Sequence, residues 1–165
     1  VLHQPVVPVS NVCKRGIFHC GSSRDSSLPR FVIHDQLLAD THLLGRLELC
    51  HVLLHKNAMV PWFILVPEVD SADLLDLPSL QRNPIMEECA IIAGFIKQHF
   101  HSTRINCAAL GNLVPQLHLH VIGRCITDPC WPKPVWGNLD KDKPYSSMEI
   151  ESIRHRLRQD CNLLD

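Results

Sequence analysis

Residues 116 to 120 read Gln-Leu-His-Leu-His, two imidazoles alternating with leucines and preceded by an amide. In an extended chain alternate side chains share a face, so Gln116, His118 and His120 point one way while Leu117, Leu119 and Val121 point the other. The leucines belong to a core. The polar face sets its two imidazoles ~6.6 Å apart along the strand and lines a site. A neutral imidazole nitrogen is nucleophilic near pH 7, and the phosphoramidate it forms is reactive enough to be hydrolysed again. The second imidazole and the amide are suited to hold phosphate oxygens, and a histidine can also protonate a leaving group. That chemistry requires no cofactor and no metal, although a metal-bound phosphate compound is an acceptable substrate. For a bare His-x-His pair, the plain alternative is a strand whose histidines face solvent.

Other residues could join the pair. His34, His42, His51 and His55 lie in the first half of the chain; each alone reads as a surface or satisfied core histidine, and His34 is the first choice for a binding role. Arg124 could clamp a phosphate with two parallel hydrogen bonds or simply be solvated at a strand end. Trp131 and Trp136 could stack on a base or close a dimer, and pinning the proline-rich segment around them is the simpler role. Asn57 serves a turn, with a lesser chance of meeting a ligand. His118 and His120 could be two zinc ligands. The candidates that would complete the set, Cys125, Cys130 or a distant histidine, have no diagnostic spacing, so no metal site is assigned.

These residues need elements to hold them. Leu47 to Leu54 and Trp62 to Val66 read as a β-hairpin, separated by Lys56, Asn57 and Pro61; His34 to Leu44 is either a short helix or an extended entry. Asn83-Pro84 reads as a helix start, with Glu87 and Glu88 near the positive end of the dipole. Ile85, Cys89, Ile92, Ile96 and His99 or Phe100 then give an apolar stripe over ~16 residues. Arg104 to Leu110 and Gln116 to Arg124 read as adjacent strands with a tight connection. The three prolines of Asp128 to Gly137 exclude helix and central strand and make that segment a surface arm. Ser146 and Glu149 form a capping box for a last helix over 147 to 160. The order is that of an α+β fold with an antiparallel sheet of about five strands, a central helix and a C-terminal helix.

Composition bounds the rest. The 165 residues, 45% hydrophobic and 20% charged, suit one globular domain. Residues 1 to 30, rich in proline and serine, read as a loose arm before a single domain over 31 to 165. The net charge of -1 provides no overall field for nucleic acid or a membrane surface, so any phosphate site is local. The longest apolar runs fall short of the ~20 residues of a membrane span. The eight cysteines contain no C-x-x-C pair, and no secretory leader is evident. They read as reduced, mostly buried thiols of a cytoplasmic protein.

The stretch from Asn106 to Arg124, which holds Asn-Cys-Ala-Ala-Leu-Gly-Asn-Leu-Val-Pro before the histidine segment, closely resembles the histidine triad family of nucleotide hydrolases and transferases. The likeness runs from residue 31 to 137 and takes Pro61-Trp62 to Pro67 as a strand of the family's half-barrel. It implies that His118 is the nucleophile, that His120 helps bind phosphate, and that Asn106 and Asn112 stand near ribose and phosphate. It also implies a homodimer with a nucleotide as partner. Gln116 departs from the pattern, since it stands where the family has its first histidine and cannot carry a proton. The expected activity is cleavage of a dinucleoside polyphosphate or a nucleoside monophosphate derivative, at a phosphoanhydride or phosphoramidate bond, through a nucleotidyl–histidine intermediate on His118. The alternative is a nucleotide-binding or sensing protein with little turnover.

Overall fold

The structure, a computed structural model, describes residues 31–165. The arm expected over residues 1 to 30 lies outside the described residues. The elements run α1 (Asp35–Asp40), β1 (Thr41–Arg46), β2 (Cys50–His55), β3 (Trp62–Pro67), a short 3-10 turn (Leu74–Asp76), α2 (Ser79–Phe100), β4 (Arg104–Ala109), β5 (Leu119–Arg124) and α3 (Ser147–Cys161). The strands form one open antiparallel sheet in the order β1-β2-β3-β5-β4. This is the expected α+β architecture. The ambiguous stretch 34 to 44 resolves into both readings, a short helix followed by the edge strand β1.

Each face of the sheet is buried under a different cover, as the near-continuous apolar runs of β3 and β5 require. On one face Leu117, Leu119 and Val121 pack with Phe63 and Leu65 against the α2 stripe of Ile85, Cys89, Ile92 and Ile96, and against Ile153 and Leu157 of α3. On the other, Leu53, Trp62, Ile64 and Ile122 pack with Leu37 of α1 and Val135 of the proline-rich arm. Gly123 shows how closely α2 approaches: a Cβ there would lie 2.3 Å from Ser102 Oγ and 2.5 Å from a methyl of Ile96. Gly45 has φ +152°, and a Cβ would meet the carbonyl oxygen of Leu164 at 2.2 Å. At that point β1 carries a register shift, and Arg46 exchanges two backbone hydrogen bonds with Leu164, at 2.9 and 2.8 Å. The chain's own tail thus covers the outer edge of β1.

Three expectations need correction. Helix α2 begins at Ser79, with Pro78 in the N-cap position and no side-chain capping bond, and Pro84 lies inside it. A proline there deletes the bond to the carbonyl of Leu80, which stands in the first turn on an 88% exposed residue, where the loss is cheap because the carbonyl is not sealed from solvent. Glu88 therefore sits well inside the helix. It is buried, and its carboxylate accepts the backbone N–H groups of Leu49 and Cys50 at 2.8 and 2.9 Å, tying α2 to the β1–β2 turn. Finally, β5 starts at Leu119 rather than Gln116, and residues 110 to 118 form a loop instead of a tight turn. Pro115 offers no N–H, and β4 ends at Ala109, opposite Leu119, leaving residues 116 to 118 without a ladder partner.

The capping box of α3 forms as read, with Ser146 and Glu149 bonded reciprocally. Of the cysteines within the described residues, Cys50, Cys89, Cys130 and Cys161 are buried, Cys125 is half-buried and Cys107 is exposed, and all are free thiols.

Candidate active site

The end of the 110–118 loop and the start of β5 carry His118 and His120 on the face away from α2. Both are nearly enclosed, at 5% and 7% exposure, with ring centroids 4.9 Å apart and planes at 78°. They line an open cleft of about 640 Å³, within the usual range for a small-molecule site. The cleft is also bounded by His34, Leu37 and Asp40 from the α1 region, His55 and Trp62 from β2 and β3, Asn112 and Val114 from the loop, and Trp136 from the arm. Ile64 also lines it, packed in the adjoining core with Leu53 and Ile122.

The hydrogen bonds at each ring nitrogen define the site's chemistry. Nδ1 of His118 lies 2.8 Å from the carbonyl oxygen of Gln116. A carbonyl only accepts, so Nδ1 carries the proton and donates it, and the other nitrogen, Nε2, keeps a free lone pair. Nδ1 of His120 lies 2.9 Å from the indole Nε1 of Trp62, which only donates. His120 is held well below the ordinary histidine value of 6.5, to about 3, by burial first and then by His118 and His55. His55 stacks on Trp62 at 4.3 Å with planes at 13°, and Trp136 meets both Trp62 and His120 edge-on. Burial also lowers the His55 pKa, against the pull of Asp40 and Asp142.

Of the residues picked from sequence, His118, His120, Asn112 and His34 come together in the cleft. Gln116 does not join them. Its side-chain oxygen accepts the backbone N–H of His34 at 2.8 Å, and its NH2 donates to the carbonyl of Val32 at 2.9 Å. Both ends of the amide clamp the segment entering α1, which sets His34 on the rim. Arg124 is also elsewhere: it is 2% exposed and forms a two-pronged ion pair with Asp128, at 2.7 and 3.0 Å. It further donates to Asn106 Oδ1 at 2.7 Å and to the carbonyl of Lys133 at 2.8 Å. Neither the phosphate clamp nor the solvated strand end describes it. Arg124 and Asn106 share the cleft face of the sheet but lie further along it, under the arm, where the buried guanidinium is held by the Asp128 carboxylate and the Lys133 carbonyl.

Trp62 and Asp40 were not singled out from the sequence as site residues, His55 was weighed only as one of four histidines that each read as surface or core, and for Trp136 pinning the arm was preferred to stacking on a base. The one available signal was positional. His55 ends β2, and Trp62 pairs with Ile122 beside His120 at the head of β3, so both belong to the histidine face once the strand order is known.

A model of the HIT domain matches residues 36–126. Among solved structures, a histidine triad protein from Marinobacter aquaeolei VT8 is 40% identical with a TM-score of 0.74, and the alignment covers 81% of this chain and 98% of that one. One from Bradyrhizobium japonicum is 37% identical with a TM-score of 0.74, covering 80% and 98%. A third, from Sinorhizobium meliloti 1021, is 35% identical with a TM-score of 0.74, covering 79% and 96%. No curated protein matches the sequence. A domain match over more than half of the chain, relatives of this identity and coverage, and paired histidines at the cleft together establish that the chain belongs to the histidine triad (HIT) domain family.

Proposed function

We propose that the protein is a nucleotide hydrolase or nucleotidyl transferase that uses Nε2 of His118 as its nucleophile. The observation that carries the reading is the bond between His118 Nδ1 and the Gln116 carbonyl, because it leaves the cleft-facing nitrogen with an available electron pair. Nε2 attacks the phosphorus of a bound nucleoside phosphate, a nitrogen–phosphorus bond forms, and the bond to the leaving group breaks. The leaving group departs with the electron pair and takes a proton from water. Water then attacks the nucleotidyl–histidine: an oxygen–phosphorus bond forms, the nitrogen–phosphorus bond breaks with its electron pair returning to Nε2, the water's proton passes to the hydroxide left by the first step, and the nucleoside monophosphate leaves with His118 restored. Trp136 and the apolar wall around Leu37 and Val114 offer a dry surface for a base. His34, His120 and Asn112 supply donors for phosphate or ribose oxygens. Family likeness further suggests a homodimer as the working form.

The test is a single-turnover assay with a labelled dinucleoside polyphosphate and, in parallel, a nucleoside phosphoramidate. Label trapped on the wild-type protein and absent from His118→Ala is the expected result, with at least about a 10³-fold loss of turnover in the variant. Tight binding with no product from either substrate would instead identify a nucleotide sensor.

A further inference from the structure

Four imidazoles border the cleft, and each has one ring nitrogen engaged by the protein. Nδ1 of His34 lies 3.1 Å from the backbone N of Gln36, Nδ1 of His55 lies 3.1 Å from the backbone N of Asn57, and Nδ1 of His120 lies 2.9 Å from the indole nitrogen of Trp62. All three partners can only donate, so in all three neutral rings the proton is on Nε2. His118 has the reverse arrangement. Among the described residues no buried polar side-chain atom lacks a partner, and His120 Nε2 bonds to none of them, so this nitrogen reaches the cleft. One bare nitrogen therefore stands among three that carry hydrogen.

The neighbour of His118 is where this arrangement matters most. Were His120 to carry its proton on Nδ1, it would present a second lone pair beside the first. It would then compete for the phosphorus and offer no donor to the phosphoryl oxygens.

We propose that Trp62 is a positioning residue, whose indole N–H holds His120 as the Nε2–H tautomer and so makes it a neutral donor to a phosphoryl oxygen beside the nucleophile. This rests on the reading of His118 given above. The side chain is suited to the task on three counts: it is 7% exposed, it is wedged between the His55 and Trp136 rings, and β3 pairs directly with β5 at this level. The indole cannot rotate away or reverse its polarity. A hydroxyl or amide could do either.

The experiment is nitrogen-15 NMR of the imidazoles in the unliganded wild type and in Trp62→Phe, which keeps an aromatic ring but loses the donor. In the wild type His120 shows hydrogen on Nε2 and His118 shows it on Nδ1. In Trp62→Phe the His120 signals move towards the opposite tautomer or a mixture while those of His118 hold, and kcat falls about tenfold to a hundredfold with KM little changed. If Trp62→Phe fails to fold, benzothienylalanine at position 62, a shape match without the N–H, takes its place with the same expectations. An unchanged His120 pattern, or wild-type kcat despite a changed pattern, overturns the proposal. The NMR measurement needs no turnover, so a wild-type protein that proves inactive counts against the catalytic reading alone.

Discussion

Gln116 stands where the family's first histidine is expected, and its amide holds backbone instead of substrate. Removing that clamp in Gln116→Ala deletes two partly exposed hydrogen bonds and should lower stability by about 1–2 kcal/mol, measurable by urea denaturation. It should also raise KM, because His34 is no longer held at the rim. Gln116→His should show the same stability loss and no gain in kcat, since position 116 faces the α1 segment; a gain in kcat would show that the position reaches substrate. His120 makes a second residue-scale prediction. Its folded-state pKa of about 3 lies below the ordinary 6.5, so the unfolded chain takes up this proton more readily. The stability it contributes is complete above pH 6.5 and is lost as pH falls towards 3. Thermal midpoints recorded from pH 7 down to 4 should decline, and His120→Gln should flatten that slope.

At the level of elements, the proline-rich arm is fastened through Arg124 and Asp128, whose side chains are 2% and 3% exposed. Burial would push the Asp128 carboxyl up, but the Arg124 hydrogen bond and the backbone N–H groups of Cys125 and Cys130 outweigh it and hold it below the ordinary 3.8. The arm's contribution is then present above pH 3.8 and disappears in stronger acid. Asp128→Asn, which leaves a buried guanidinium without its counter-charge, should cost about 3–5 kcal/mol at neutral pH and release Trp136 from the cleft. Such elements were unequally legible. The capping box of α3 could be read because both partners lie within four residues of sequence. The true start of α2 could not, because Ser79 to Arg82 lack an apolar stripe and a proline inside a helix mimics a beginning. The role of Arg124 was hidden for another reason: its partners come from a strand and an irregular arm, where no periodicity announces a contact.

For the molecule as a whole, the alternation of leucine and histidine was enough to place both imidazoles on one face and the core on the other. What alternation could not supply was the neighbour across the sheet, and so His55 could be told from the other early histidines, and Trp62 recognised at all, only with the strand order. Among the described residues the cleft is lined by no lysine or arginine, in a chain whose net charge is -1. A phosphate there would be met by imidazole and amide donors, with no lysine or arginine to form an ion pair. KM for a nucleotide substrate should accordingly change less than about twofold between 50 mM and 300 mM salt, in contrast to sites that gather anions by field. Of the three tryptophans in the chain, Trp62 and Trp136 border the cleft, while Trp131 lies outside it against the Arg124 guanidinium. Two indoles in edge contact with each other and with a histidine ring make the protein its own optical probe: occupancy of the cleft should register as a change in ultraviolet-excited emission, with no dye attached.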